Sequence, residues 1–506
     1  MILLGEKALS IEDVVQIGRF NEKVELGKTA IKRIEDSHKL LEKIVNGGEP
    51  VYGINTGFGI FADRRIKAEE SSTLSRNLIL SHAVGTGEPL PAEVVRAAML
   101  IRANTLSKGF SGVRRVIIQT LIDMLNKQVT PVIPSQGSLG SSGDLCQLSH
   151  LALVLTTDKK DHAEESGQAI FAGKKMTGKE AMKAAGIERL VLGPKEGLAI
   201  NNGATFSAAI AALSVWEAEY LLDLADRSAS LSMEALVGCS SAFDERLHKA
   251  RGQAGQMTSA ANIRKMITGS SLVDSTKRVQ DAYSLRCAPQ IHGSSRDTIS
   301  HTKQVVEIEI NAATDNPLIF DPGLAISGGN FHGEPVGMVM DFAGIAIAEI
   351  GGISERRTFR LTDEKLNNGL PPMLVDSKEA AGLNSGVMMP QYTAASLVLE
   401  NQTLATPDSV HSLPTSAEQE DHNANAMTAA RHCYQIINNV KHILAVEMFT
   451  AARALDLRMR TSVGKPGKGT KELFAKIRKD VPYIAEDSLW GVQIEGIKRL
   501  VDDHSL

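Results

Sequence analysis

Two stretches of the chain lack both helix breakers: residues 204–237 and 415–463 contain no glycine and no proline, and each is rich in Ala, Leu, Met and Glu. Each can hold one very long helix or two joined helices. Shorter helices are expected around Asp341–Glu355 and Gln391–Leu404. Long helices in succession bury their apolar stripes best side by side, so the second half reads as an extended helical bundle. The first half is more broken. A Gly/Asn/Thr turn occupies 53–59, a glycine-rich segment 137–143, and Pro131 and Pro134 sit close together. Amphipathic helices are expected between these interruptions, such as one around Ala92–Leu106. The pattern gives a mainly α fold, with a smaller mixed but mostly helical N-terminal domain over 1–200 and a long helical bundle with a C-terminal helical region over 201–506. The segment 464–470, GKPGKGT, is expected to be a mobile loop.

Composition sharpens this picture. Of 506 residues, 43% are hydrophobic and only 4% aromatic, a balance that favours helix over sheet. The formal net charge is -4 and no Lys/Arg block stands out, which argues against a nucleic-acid track or a membrane-surface patch. Cys146, Cys239, Cys287 and Cys433 form no CxxC pair, the usage of a reduced, cytoplasmic protein. The first residues lack a signal-peptide pattern. The apolar run near Phe342–Ile353 is cut by Glu349 and by glycines, so no membrane span is expected.

Several motifs fail on inspection. The frame 464–471 ends Gly469-Thr470-Lys471, where a phosphate cradle needs Gly-Lys-Ser/Thr, and no strand pattern precedes it. Glu420-Asp421-His422 has metal-ligand residue types, but an acidic cluster at a loop or helix start is the commoner reading and no metal is expected. Ser142 lies in Gly140-Ser141-Ser142-Gly143, which lacks the G-x-S-x-G spacing of a nucleophile elbow. The GSS runs at 140–142 and 293–295 lack the Met-Pro-x-Lys-x-Asn-Pro signature of the fumarase and argininosuccinate lyase superfamily.

The segment GSLGSSGDLCQLSH at 137–150 resembles the aromatic amino acid ammonia-lyase family, whose prosthetic group, 4-methylidene-imidazole-5-one (MIO), forms from an Ala-Ser-Gly tripeptide. In that chemistry the first residue supplies only backbone atoms, so Ser141 is compatible. The second must carry a β-hydroxyl to lose, as Ser142 does. The third must be glycine, as Gly143 is, because its nitrogen approaches a backbone carbonyl. The resemblance continues in order along nearly the whole chain: VYGINTGFG (51–59), NLILSHAVGTG (77–87), NNGAT (201–205), QDAYSLRCAPQ (280–290), EINAATDNPL (309–318), SGGNFHGEPV (327–336) and LPTSAEQEDH (413–422). It implies a mainly α-helical fold whose N-terminal domain carries the MIO loop, a homotetramer with active sites shared between subunits, a small-molecule amino acid substrate, and no metal or nucleotide cofactor.

Residue by residue, the resemblance implies that Ser141, Ser142 and Gly143 form the electrophile and that Tyr52, on a loop, is the general base. Asn202 and Tyr283 orient the prosthetic group and the amine, and Arg286 pairs with the substrate carboxylate. Gln280 and Phe331 line the pocket. Ser81-His82 and the acidic Glu420 match the histidine-specific branch, where a buried imidazole needs a donor and an acceptor. The implied reaction converts L-histidine to urocanate. A lyase acting on a modified histidine such as ergothioneine or on another aromatic amino acid, and a 2,3-aminomutase, share much of this pattern. Cys146-Gln147 and Asn201 are the departures nearest the tripeptide. A non-catalytic helical scaffold is the reading outside this class; the joint presence of Tyr52, Ser142, Asn202, Tyr283 and Arg286 argues against it.

Overall fold

The stretch 204–237 becomes one 31-residue helix, Thr205–Ala235. The structure, a computed structural model, describes residues 1–47, 49–57, 59–61, 63–461 and 464–506, and of Ile60 and Ala68 only the backbone. Three more long helices follow: Ala288–Glu309, Glu334–Thr362 and Ala426–Thr461. Strands among the described residues are two to four residues long and pair into small sheets. The mainly α fold expected from the sequence is therefore the fold observed.

Four expectations change in detail. The stretch 415–463 is helical only over Ala426–Thr461, and its last two residues, Ser462 and Val463, lie outside the described residues. Residues 415–425 form a loop in which Ser416, Ala417, Glu418 and Asn425 take positive φ. This segment has few apolar side chains to dock a helix, and lack of breakers alone does not make one. Helix Ala92–Ser107 is not amphipathic: every residue from Val94 to Ser107 is buried, including Arg96, Arg102 and Asn104, which donate to backbone carbonyls of Ile17, Asn202 and Ile310. The segment 464–470 is not simply a loop, since Lys468 opens helix Lys468–Asp480 and Gly467 caps it. Buried Glu234 holds this turn, accepting from Gly467 N at 2.8 Å and Thr470 Oγ1 at 2.7 Å. Finally, helix Glu334–Thr362 is long and apolar enough by composition to cross a membrane, with 67% of its most apolar stretch buried inside the protein. Its glycines do not interrupt it. A Cβ on Gly351 would lie 3.1 Å from Ile443 and Val440, so the missing side chain lets two helices approach closely.

The chain divides into two compact units of non-contiguous segments. The first comprises Met1–Trp216, Thr302–Asp341 and Pro407–Arg431; the second comprises Glu217–His301, Phe342–Thr406 and His432–Leu506. In the second unit, Glu447 and Arg357 form a fully buried bidentate pair at 2.6 and 2.9 Å. Ser232 and Ser354 also donate to Glu447, at 2.7 and 2.6 Å. The carboxylate stays ionised because the guanidinium and these hydroxyls outweigh its burial.

In the first unit, helix Leu145–Leu155 packs against helices Ser71–His82 and Glu196–Asn201. Fully buried Arg102 closes the end of Glu196–Asn201, donating through Nη1 to the carbonyls of Ala199 (3.2 Å) and Asn202 (2.8 Å). A cation suits the negative end of a helix. Burial pulls this guanidinium down to about 10, with Asp315, Asp144 and Glu309 acting the other way. Asp315 is itself paired with buried Lys195 and accepts from Ser111 at 2.7 Å. For Glu309 the balance runs the other way: burial, reinforced by the Asp144 carboxylate and only partly offset by Arg102, pushes it up to about 7.

Two outcomes follow from these buried charges. Glu447→Ala leaves Arg357 unpaired and should destabilise the protein by about 3–5 kcal/mol in urea unfolding, whereas the double change Arg357→Met with Glu447→Leu should cost clearly less. Equal losses would mean the pair itself is the main stabiliser. For Glu309, the folded protein keeps the proton between 4.5 and about 7 while the unfolded chain has released it, so this contribution to stability is present below 4.5 and lost as pH rises through about 7. Glu309→Gln should therefore gain on the wild type by up to about 3 kcal/mol between roughly pH 5 and pH 8. A pH-independent difference would refute the assignment.

Candidate active site

A cavity of about 1140 Å³ opens within the first unit. Segments far apart in sequence line it, and seven residues expected from the sequence do so: Tyr52, His82, Ser141, Ser142, Asn202, Phe331 and Glu420. Gly143 sits immediately behind Ser142. Three expected residues are not on its walls. Gln280, Tyr283 and Arg286 belong to the second unit, where Tyr283 and Arg286 bound a short helix. Tyr283 is 68% exposed, the Arg286 guanidinium lies 4.6 Å from its ring centroid, and Arg286 Nε is buried without a hydrogen-bond partner among the described residues.

Backbone packing fixes the tripeptide. Gly143 has φ +75° and pairs with Gly203 in a parallel bridge; a Cβ on Gly143 would meet the Gly203 carbonyl carbon at 2.0 Å. Only glycine fits. The Ser142 carbonyl accepts from Asn202 Nδ2 at 2.9 Å and from Gly203 N at 3.2 Å. Asp144 N donates to Gly203 O at 2.9 Å, and the buried Asp144 carboxylate accepts from Ser138 Oγ, Ser207 N and Ser207 Oγ at 2.8–2.9 Å. Burial still pushes that carboxyl up. Among the described residues Asn202 Oδ1 is buried without a hydrogen-bond partner, an acceptor left over at the cavity wall.

Glu420 faces the tripeptide. Its Oε1 accepts from Ser142 Oγ at 2.8 Å and its Oε2 from Ser141 Oγ at 2.5 Å. The turn that presents it is closed by Thr415 N to Glu420 O (2.8 Å) and Glu420 N to Thr415 O (3.2 Å). His82 ends helix Ser71–His82, with Nδ1 3.0 Å from Ser81 Oγ. Burial pulls the imidazole down, so it favours the neutral form, while Glu420 pulls the other way. Tyr52 Oη accepts from Gly59 N at 3.4 Å. Gly53, at φ +69°, would place a Cβ 2.8 Å from Leu198 Cδ2, so the tyrosine turn is pressed onto helix Glu196–Asn201. Phe58, within the same motif, lies outside the described residues.

The structure adds wall residues that the sequence reading did not single out, among them Asn77, His332 and Gln419, and brings His422 of the acidic cluster to the same wall. His332 directly follows Phe331, and its Nε2 lies 3.1 Å from the His422 carbonyl. The motif SGGNFHGEPV contained that signal. The Ser141 hydroxyl contact was also missed, because the ring chemistry uses only that residue's backbone. Cys146, Gln147 and Asn201 are buried and off the cavity wall. Among the described residues, no group of three or more His, Cys, Asp or Glu is placed to hold a metal ion.

A profile of the aromatic amino acid lyase family matches residues 9–479. The histidine ammonia-lyase of Caldanaerobacter subterraneus subsp. tengcongensis is 49% identical over 489 residues, spanning 96% of this chain and 93% of that protein. The solved histidine ammonia-lyase from Trypanosoma cruzi is 35% identical with a TM-score of 0.90, covering 100% of this chain and 94% of its own. The tyrosine aminomutase from Streptomyces globisporus is 32% identical with a TM-score of 0.93, covering 100% and 97%. Structural likeness is thus as high for a mutase as for a lyase, and sequence identity is what separates them. With the family matched over most of its length and a relative at 49% identity along nearly all of it, the chain belongs to the aromatic amino acid lyase family.

Proposed function

We propose that this chain is a carbon–nitrogen lyase that removes ammonia from L-histidine to give urocanate, using MIO formed from Ser141-Ser142-Gly143. The observation that carries the reading is the convergence of His82 and Glu420 with Ser141 and Ser142 on one cavity. The relatives named histidine ammonia-lyase, at up to 49% identity, support the same substrate.

The tripeptide's setting fits ring closure. Gly143 N would bond to the Ser141 carbonyl carbon; that carbonyl oxygen leaves as water with the amide hydrogens of Ser142 and Gly143. A second water carries away Ser142 Oγ with a hydroxyl hydrogen and the Ser142 α-hydrogen. The glycine contact with Gly203 and the two donors on the Ser142 carbonyl hold the backbone where a loose loop would not stay. Once formed, the group supplies an electrophile that makes the substrate amine a better leaving group.

The remaining work falls to side chains. Tyr52 takes the β-proton at its phenolic oxygen. Asn202 Oδ1, buried and otherwise unpartnered among the described residues, accepts from the substrate amine. His82 and Glu420 meet the two imidazole nitrogens as donor and acceptor, which avoids burying a polar ring unpaired. Phe331 gives the ring an apolar wall. Arg286 pairs with the carboxylate, and Tyr283 and Gln280 complete the site. A homotetramer with active sites shared between subunits belongs to the same reading, supported by the family's ordered motifs along the chain. A cytoplasmic setting goes with it, supported by a cysteine usage with no CxxC pair.

Purified protein should convert L-histidine to urocanate, followed by ultraviolet absorbance. Ser142→Ala should lower turnover by at least about 10³-fold, near 4 kcal/mol of barrier. Full turnover by Ser142→Ala, or none by the folded wild type, would defeat the proposal.

A further inference from the structure

Ring closure draws on the carbonyl of Ser141 and not on its side chain, yet that side chain is committed. Ser141 is 7% exposed and its Oγ donates to Glu420 Oε2 at 2.5 Å, while Ser142 Oγ donates to Oε1 at 2.8 Å. Both hydroxyls thus donate to the one carboxylate, which also acts electrostatically on the His82 imidazole. The backbone of Glu420 is pinned separately by its paired hydrogen bonds to Thr415, in a turn with Ser416, Ala417 and Glu418 left-handed. Its side chain has three rotatable bonds beyond that anchor, and the serine hydroxyls order them.

The two donors differ in fate. Ser142 Oγ departs as water in ring closure, whereas Ser141 Oγ remains. We propose that Ser141 is a positioning residue: its hydroxyl holds Glu420 Oε2 after the Ser142 hydroxyl has gone, leaving Oε1 free to accept from the substrate. The inference rests on the functional reading above and adds a role for a side chain that the ring chemistry ignores. Ser141 acts through Glu420 and does not itself touch the substrate. An alanine at 141 would preserve ring closure and lose the tether. A charged hydrogen bond of this kind is strong enough for its loss to be read in kinetics.

The test compares Ser141→Ala, Ser141→Thr, Glu420→Gln and the Ser141→Ala/Glu420→Gln double variant with the wild type. Each is assayed for histidine turnover and for the mass of the tryptic peptide that contains residues 138–150. The Ser141→Ala peptide should be two waters lighter than its unmodified sequence, as in the wild type. Its kcat/KM should fall about 10- to 100-fold, mostly in kcat if the tether matters in the transition state. Ser141→Thr, which keeps a hydroxyl, should recover most of that loss. In the Glu420→Gln background, removing the Ser141 hydroxyl should change kcat/KM by no more than about 2-fold, because the partner of the tether is already altered. Wild-type kinetics in Ser141→Ala, or the same fold loss in both backgrounds, would overturn the proposal. So would a Ser141→Ala peptide of unmodified mass, since the hydroxyl would then act in ring closure. An unmodified wild-type peptide without histidine turnover would instead bring down the functional reading, and this inference with it.

Discussion

The contact between two glycine backbones, Gly143 against Gly203, is the constraint on which the rest of the site depends. A Cβ on Gly143 would sit 2.0 Å from the Gly203 carbonyl carbon, and one on Gly203 would sit 2.5 Å from Thr314 Oγ1. No side chain can intervene, so the tripeptide is pressed onto the start of the Thr205–Ala235 helix. Around that contact the chain spends its buried polar groups. Arg102 grips the Asn202 carbonyl, the Asn202 amide grips the Ser142 carbonyl, and Asp144 is held by Ser138 and Ser207. Each of these groups would be costly to bury alone; linked, they specify one position for a short loop.

The same arrangement explains why the site is assembled from so many segments. Packed helices give the loop a rigid floor, whereas the other expected residues on the cavity wall sit at turns and helix ends: Tyr52 after the first helices, His82 at a helix end, Phe331 before helix Glu334–Thr362 and Glu420 before Ala426–Thr461. Rigid elements supply precision and turns supply reach. Glu420 shows the division clearly, since its backbone is closed in a turn and its carboxylate is tied to the tripeptide itself.

Much of this was legible in the sequence, for reasons that differ from residue to residue. The 31-residue helix Thr205–Ala235 followed from a breaker-free, Ala- and Leu-rich run. Ser142, Gly143, Tyr52, Asn202 and Glu420 stood in a run of ordered motifs, and the cavity brings all but Gly143 to its wall. Other features could not be read. The loop 415–425 contains no helix breaker, yet its turn is closed by backbone bonds between Thr415 and Glu420 and takes positive φ angles at Ser416, Ala417 and Glu418 that those residue types do not announce. The burial of Arg96 and Arg102 on a helix that seemed amphipathic depends on carbonyls supplied by distant segments. The Ser141 hydroxyl bond depends on a residue 279 positions away. Gln280, Tyr283 and Arg286 carry a clear motif, but their own chain leaves them off the cavity.

The proposed ring closure needs the tripeptide conformation that backbone packing against Gly203 holds. The most direct measurement is the mass of the tripeptide-bearing peptide from soluble Gly203→Ala protein whose helical circular dichroism matches the wild type. The added methyl would force Gly203 away from Thr314 and Arg102 and loosen its hold on Gly143. The peptide should keep both waters in the variant and have lost them in the wild type. Complete loss of both waters in well-folded Gly203→Ala would contradict that requirement.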